Sequence, residues 1–148
     1  MAAVKEYVLR TEREGFYDIT AQVTQAVTES GVEDGMAFIY CPHTTSAITI
    51  TENTDENVNG DILMSMERAF PDYKDFRHRE DNAFAHVKSS MMGSQLFVIV
   101  DAGWPLLGPW QAVYFVEFDG PRERHFYVKV MSDPHMEKFP EPEEKFEE

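Results

Sequence analysis

The sequence predicts a single α+β domain, in which helices cover the outer faces of a mixed or antiparallel sheet system. A length of 148 residues suits one domain and leaves little room for two. Six segments have strand patterns and three have helical patterns, and the two kinds do not alternate regularly. A doubly wound parallel sheet is therefore disfavoured, because that fold requires regular alternation of strands and helices.

The six predicted strands are short apolar or alternating runs at 4–10, 36–41, 46–51, 95–100, 110–118 and 124–131. Asp119, Gly120 and Pro121 form a turn signal between the last two strands, which predicts that these strands are an antiparallel pair. Pro109 has no backbone N–H group, so the long fifth strand is expected to begin at Trp110.

The three predicted helices have their apolar residues on one face, at 18–30, 61–70 and 83–92. Asp18 or Thr20 is the expected N-cap of the first helix, and Gly31 is expected to end it. A turn at 59–60 is expected before the second helix, because a glycine inside a helix costs about 1 kcal/mol. Asp61 would then be the N-cap of this helix.

The composition excludes several classes of partner. The net charge is −14, from 13 basic and 27 acidic residues, so we predict no nucleic-acid partner and no membrane surface. A local basic pocket for a small anion remains open. We recognise neither a membrane-spanning run nor a secretory signal. The single Cys41 excludes a disulfide framework within the chain, so a cytoplasmic location is expected.

The last 17 residues differ from the rest of the chain. Seven acidic residues, two lysines and three prolines lie in 132–148. We predict a folded domain over 1–131 and an acidic, largely disordered tail over 132–148. The alternative is that Met136, Phe139 and Phe146 of the tail contact a neighbouring subunit.

The densest polar cluster lies between the second and third predicted strands. The segment Pro42-His43-Thr44-Thr45-Ser46 offers an imidazole, three hydroxyls and backbone N–H groups. These groups suit an anion, or a metal ion with its bound water. The alternative is a turn whose hydroxyls satisfy its own backbone.

Acidic residues come next along the chain. Asn53 and Asp55 follow the third predicted strand, and Asp61 lies a short distance beyond. Carboxylates in this position can act as a general base or as Mg²⁺ ligands. The alternative is that they cap a helix and match its dipole.

Two histidines flank the start of the third helix. His78 lies before Asn82, the expected N-cap, and His86 projects from the helix away from its apolar face. With His43 they would form a three-histidine site of the catalytic zinc type. The spacing of His78 and His86 is not a standard zinc motif, and the alternative is a pair of exposed histidines.

Further candidates lie near the C-terminal strands. Gln111 offers an amide to a ligand, and Trp110 is a stacking platform or a core residue. Arg122 and Arg124 suit a phosphate group, although surface ion pairs are the alternative. The sequence contains no glycine-rich phosphate loop and no dinucleotide fingerprint, so no nucleotide cofactor is predicted.

An ordered set of short motifs covers roughly residues 4–131. The motifs are Pro42-His43-Thr44-Thr45, Glu52-Asn53-x-Asp55, Asp61, His78, Asn82-Ala83-x-Ala85-His86, Gly93, Gly103, Leu107-Gly108-x-Trp110-Gln111 and Glu117-x-Asp119-Gly120-Pro121-Arg122-x-Arg124. The set resembles the YjbQ-like family, also called secondary thiamine-phosphate synthase. The chain departs from the family pattern at Pro109, where threonine is usual, at Asp81, where glycine is common, and at the bulky pair Trp104-Pro105.

The resemblance implies sandwich-like sheet packing, a homotrimer, and a pocket near a subunit boundary. The residues implied for that pocket are His43, Asn53, Asp61, His78, His86 and Gln111. For activity it implies weak thiamine-phosphate synthesis, in which hydroxymethylpyrimidine pyrophosphate is joined to a thiazole phosphate.

Three functions stay open at this point. The first is this enzyme, with Thr44, Thr45, Arg122 and Arg124 holding a small phosphorylated metabolite. Mg²⁺ or Zn²⁺ would be its metal, and a hydrolase with a metal held by the three histidines is a variant. The second is a binding protein without turnover. The third is an interaction module that acts through the acidic tail.

Overall fold

A computed structural model describes residues 4–134. In that range the strands are β1 (Val4–Thr11), β2 (Gly15–Asp18), β3 (Gly35–Tyr40), β4 (Ser46–Glu52), β5 (Gln95–Asp101), β6 (Trp104–Pro105), β7 (Gln111–Glu117) and β8 (Arg122–Ser132). The helices are α1 (Thr20–Ser30), α2 (Glu56–Ala69) and α3 (Ala83–Met92). The predicted α+β class with three helices is confirmed. No helix within residues 4–134 has the length and apolar character needed to cross a bilayer.

The strands form two sheets in which every pairing is antiparallel. The larger sheet has the order β1-β8-β3-β5-β6, and the smaller has the order β2-β7-β4. The predicted pairing of the last two long strands is wrong, because β7 and β8 belong to different sheets. The turn at Asp119-Gly120-Pro121 carries the chain from one sheet to the other instead of closing a hairpin.

Two apolar cores lie on opposite faces of the smaller sheet. The first joins α1 and the inner face of the larger sheet to one face of β7, through Val23, Ile39 and Phe115 among others. The second packs α3 and α2 on the other face of β7. β7 is therefore buried on both sides, which explains why it reads as a continuous apolar run rather than an alternating one.

Gly31 ends α1 as predicted, but the N-cap position belongs to Ile19 rather than to Asp18 or Thr20, and it has no side-chain cap. Gly31 ends the helix with a φ of 70°, a left-handed conformation that glycine adopts without strain. Residues 15–18 form β2, which the sequence analysis missed, so the helix begins at Thr20. The Asp18 Oδ1 atom accepts the Thr20 N–H group at 2.9 Å, and this bond marks the transition from strand to helix.

The start of α2 differs from the prediction. The helix begins at Glu56, and Asp55 is its N-cap, with Oδ1 accepting the Asn57 N–H group at 2.9 Å. Gly60 and Asp61 lie inside the helix, so the predicted turn and the predicted Asp61 cap are both wrong. The Asp55 cap and the length of 14 residues outweigh the local cost of Gly60.

The boundaries near the C-terminus shift by one or two residues. β7 begins at Gln111 rather than Trp110, because the Gln111 N–H group donates to the Gly108 carbonyl and closes a turn there. β8 extends to Ser132, and Asp133 N–H donates to the Asp34 carbonyl at 2.9 Å. The predicted acidic tail covers 132–148: its first residue, Ser132, ends β8, and residues 135–148 lie outside the described residues.

One face of the larger sheet is exposed and carries many apolar side chains. We call it the outer sheet face, and its apolar members include Val4, Val8, Met36, Phe38, Tyr40, Phe97 and Ile99. Phe97 and Ile99 are 54% and 56% exposed, and the rings of Phe97 and Phe38 contact each other at an angle of 37°, with centroids 4.9 Å apart. A contiguous apolar surface of this kind is typical of an interaction surface.

Candidate functional site

A polar cavity lies where the loop between β3 and β4 meets α3. We call it the His43 cavity; it encloses about 360 Å³, and its lining is His43, Thr44, His86, Ser89, Ser90, Gly93 and Ser94. The structure therefore brings His86 of the third helix to the predicted polar segment around His43. Ser89, Ser90 and Ser94 were not predicted, although their position near His86 on the helix and just after it was a usable signal.

His43 is held in a defined tautomer. Its Nε2 atom accepts the backbone N–H group of His125 at 2.8 Å, so in the neutral ring the proton resides on Nδ1. Burial lowers the pKa of His43, and the charge of Arg124 and the neighbouring His125 lower it further. His43 is therefore a neutral imidazole near pH 7 that can donate one hydrogen bond from Nδ1.

The remaining lining provides donors and no carboxylate. The hydroxyl of Ser89 donates to the Ser46 carbonyl at 2.6 Å, and that of Ser90 donates to the His86 carbonyl at 2.8 Å. The hydroxyls of Thr44 and Ser94 make no such bond within residues 4–134. Together with the two imidazoles, they make the cavity suitable for an anion of small size.

A buried ion pair holds the loop of the cavity from below. Arg124 is 4% exposed and Glu117 is fully buried. The Arg124 Nε atom donates to Glu117 Oε1 at 2.7 Å, and Nη2 donates to Thr45 Oγ1 at 2.8 Å and to the Thr45 carbonyl. Both Thr45 and Arg124, predicted as phosphate ligands, are therefore structural supports of the loop.

The same pair fixes the charge of Glu117. Burial alone would raise the pKa of this carboxyl group. The hydrogen bonds from Arg124, from the Thr11 hydroxyl and from the Asp119 N–H group outweigh burial and lower the pKa. Glu117 was part of the family motif but had no predicted role. A lone acid within a run of buried apolar residues was the signal for it.

Asp119 connects this support to α3. Its Oδ2 atom accepts Asn82 Nδ2 at 2.8 Å and Arg122 Nη2 at 2.8 Å. These bonds lower the pKa of Asp119 although burial opposes the shift. Asn82 is at the N-cap position of α3, as predicted, but its buried side chain bonds to Asp119 instead of capping the helix. Arg122, predicted as a phosphate ligand, is paired with Asp119 and is not among the residues that line the His43 cavity.

His78 and His86 form a contact pair. Their ring centroids are 4.8 Å apart and the rings are nearly perpendicular, at 80°. His86 lines the His43 cavity, whereas His78 lines a second cavity of about 200 Å³ in the loop before α3. His43 and His86 thus share one cavity, and His78 contacts His86 from the neighbouring cavity.

The described residues of the chain do not fit a three-histidine metal site. The Nε2 atom of His43 is occupied by the His125 N–H group, and Nδ1 carries the proton. Among residues 4–134, no set of three or more histidine, cysteine, aspartate or glutamate side chains is placed to hold a metal ion. A resident metal would require ligands from beyond this set.

Three predicted site residues lie elsewhere in the fold. Asn53 and Gln111 lie at the far end of β4, where Asn53 N–H donates to the Trp110 carbonyl and Gln111 Oε1 accepts the Gly108 N–H group. β4 has seven residues, so its two ends are separated by about 20 Å. Asp61 is exposed on α2. The fold of the chain does not bring these residues to His43.

The fold and the cavity define a class of protein: a two-sheet α+β domain with a histidine- and serine-lined cavity at the junction of a strand loop and a helix. A family model for the UPF0047 protein YjbQ-like family matches residues 5–133. The chain belongs to this family, as the sequence analysis predicted.

Two UPF0047 relatives match most of the chain. The chain is 47% identical over 129 residues to a UPF0047 protein of Methanocaldococcus jannaschii, covering 86% of this chain and 94% of that one. It is also 47% identical over 122 residues to UPF0047 protein YugU of Bacillus subtilis, covering 82% and 92%.

Solved structures agree with this fold. An uncharacterised YjbQ/UPF0047 protein of Clostridium acetobutylicum matches with a TM-score of 0.84 at 50% identity, covering 86% of this chain and 99% of that chain. A protein of unknown function from Sulfolobus solfataricus matches with a TM-score of 0.85 at 31% identity, covering 90% and 99%.

Proposed function

We propose that this protein is a transferase for small phosphorylated substrates, with weak thiamine-phosphate synthesis as its reaction. In that reaction the bond between the methylene carbon and the pyrophosphate oxygen of hydroxymethylpyrimidine pyrophosphate breaks. A new bond forms from this carbon to the ring nitrogen of the thiazole phosphate, and pyrophosphate leaves with the bonding electrons. The observation that carries the proposal is the His43 cavity, which offers hydrogen-bond donors and no carboxylate.

The reaction requires stabilisation of the charge that develops on the leaving oxygens, which positioned donors supply. His86 would donate a hydrogen bond or a proton to the departing pyrophosphate. The Nδ1–H group of His43, with Thr44 and Ser94, would hold the remaining phosphate oxygens. His78 contacts the ring of His86 and would position it rather than touch the pyrophosphate.

Divalent metal enters this proposal only with the substrate. Mg²⁺ bound to the pyrophosphate would neutralise part of its charge. The three histidines of one subunit do not fit a zinc site, so the metal-dependent hydrolase has less support than the transferase. Asp55 caps α2 through its side chain, which leaves it a structural rather than a metal-binding role.

A homotrimer is the proposed assembly, and the outer sheet face supports it. This face exposes six apolar side chains that a subunit contact would bury. His125 lies on the same face of β8, and its backbone bonds to His43. A subunit contact there would therefore border the His43 cavity. A cytoplasmic location is also part of the proposal, supported by the free, buried Cys41.

A binding protein without turnover is the second candidate. This candidate is favoured because the lining of the His43 cavity contains neither arginine nor lysine. Arg122 and Arg124, the two arginines predicted to bind phosphate, are both paired with carboxylates. Neutral donors can hold a phosphate group but stabilise a leaving anion less than cations do. Low turnover with retained affinity for phosphate compounds would favour this candidate.

The test measures thiamine-phosphate formation by oxidation to a fluorescent thiochrome. Wild type and His86→Ala are compared with Mg²⁺, and again with Zn²⁺ after treatment with a chelator. Loss of a proton donor is expected to reduce the rate by about 10²-fold or more. Met91→Ala is the matched control, because Met91 is an exposed residue of the same helix and lines neither cavity. Absence of product from wild type would refute the synthase proposal.

A further inference from the structure

The loop between α2 and α3 contains a second cavity with chemistry opposite to that of the first. We call it the loop cavity; its lining is Asp72, Tyr73, Lys74, Phe76, His78, Asp81 and Ala83. Two carboxylates lie here, whereas the His43 cavity has none. A phosphate group would meet one ammonium group and two like charges, so the loop cavity is unsuitable for it.

The aromatic residues of the loop cavity suit a flat ring. Tyr73 and Phe76 make an edge-to-face contact, with centroids 5.6 Å apart and an angle of 79°. Tyr73 is 56% exposed, so its ring is available to a ligand. An aromatic pair next to carboxylates favours heteroaromatic rings that carry an amino group or a positive charge.

The two cavities are neighbours. His86 lines the His43 cavity and His78 lines the loop cavity, and the centroids of these two rings are 4.8 Å apart. A ligand with an anionic end and a ring at its other end would place each end in the matching cavity. The edge between them is the contact of the two histidines.

Asp81, on the lining of the loop cavity, has an unusual backbone conformation. Asp81 has a φ of 58°, a left-handed conformation that is rare outside glycine. Glycine would adopt it without strain. The chain instead keeps a carboxylate at this position, on the lining of the loop cavity.

We propose that the loop cavity binds the amino-substituted heteroaromatic ring of the substrate whose pyrophosphate occupies the His43 cavity. Asp81 accepts the amino group, and Tyr73 and Phe76 contact the ring. His78 lines the same cavity beside the ring and contacts His86, which faces the pyrophosphate. This inference rests on the proposed function, because the second cavity has a use only if the first holds the pyrophosphate.

The experiment titrates the intact protein with two separate probes by isothermal calorimetry. The first probe is the unphosphorylated pyrimidine alcohol, 4-amino-5-hydroxymethyl-2-methylpyrimidine, which carries the ring alone. The second is inorganic pyrophosphate with Mg²⁺. Asp81→Asn is the test variant, because asparagine tolerates a positive φ while losing the charge. Asp75→Asn is the matched control, an exposed aspartate of the same loop outside the lining.

Asparagine keeps an acceptor oxygen but loses the charge of the carboxylate, and this loss is expected to weaken binding of the ring by about tenfold. Pyrophosphate affinity should stay within about twofold in the same variant. The control should leave both affinities unchanged. Asp81→Gly separates the binding role of Asp81 from its effect on folding. Glycine relieves the strain of the left-handed backbone and should raise the unfolding midpoint, while the affinity for the ring should still fall.

Unchanged affinity for the ring in Asp81→Asn would overturn the inference. So would failure of wild type to bind the ring while it binds pyrophosphate, and in that case the proposed function would stand. Failure of wild type to bind pyrophosphate would instead refute the proposed function, and the inference with it.

Discussion

Replacing Glu117 by glutamine removes one member of the buried ion pair beneath the His43 loop. The new side chain has nearly the same shape, so the change is one of charge. Arg124, 4% exposed, would remain a cation with no buried counter-charge. Removing one partner of such a pair costs about 3–5 kcal/mol, which is a large part of the about 5–15 kcal/mol that stabilises a domain.

Urea unfolding at pH 7 measures this cost directly. Thermal unfolding gives a second measure: for a domain of this size each kcal/mol shifts the midpoint by about 2–4 °C, so the midpoint should fall by about 10 °C. Glu123→Gln is the matched control, because Glu123 is next to Arg124 on β8 and forms only an exposed pair with Arg10, at 3.5 Å. That change should stay within about 0.5 kcal/mol.

The pH dependence tests the same reasoning. The pKa of Glu117 is lowered in the folded protein, so its contribution is complete above the unfolded-state pKa of about 4.3 and is lost as the pH falls through the folded value. The difference between wild type and Glu117→Gln should therefore shrink below about pH 4. A cost under about 1 kcal/mol at pH 7, or one that does not depend on pH, would refute the account of the pair.

Two further predictions concern the fold and the cavity. Gly35→Ala should lower the free energy of unfolding in urea by at least about 2 kcal/mol, because a Cβ atom at this position would lie 1.9 Å from the Met131 carbonyl oxygen. Gly60→Ala should instead raise it by about 1 kcal/mol, because Gly60 lies inside a helix with open space around it. Equal effects of the two changes would contradict both placements. Burial lowers the pKa of His43, so the unfolded state binds more protons than the folded state and the free energy of unfolding should rise with pH up to about 6.5. NMR titration of the folded protein should give a His43 pKa below about 6.5. A His43 pKa at the usual value for an exposed histidine would contradict its burial.

The fold class and the three helices could be predicted because apolar periodicity marks them directly. The pairing of β7 and β8 could not, because the Asp119-Gly120-Pro121 turn signals a reversal of the chain and not the sheet to which the next strand belongs. Gly60 misplaced the start of α2, since its local cost is smaller than the benefit of the Asp55 cap and the remaining helix.

The candidate site was predictable in part. His43, Thr44 and His86 stood out as polar residues on a loop and on the polar side of a helix, and they share one cavity. The role of Arg124 could not be predicted, because the sequence pattern of an arginine on a strand is the same whether its side chain contacts a phosphate or a buried carboxylate. The partner, Glu117, lies on a strand of the other sheet, and only tertiary packing joins them.

The location of a bound anion tests the central claim most directly. A crystal structure of the protein with inorganic pyrophosphate and Mg²⁺ should show phosphate oxygens within hydrogen-bond distance of His86, Thr44 and the Nδ1 atom of His43. Pyrophosphate bound at Arg122 or elsewhere, with the His43 cavity filled only by water at a saturating concentration, would contradict the assignment of this cavity as the anion site.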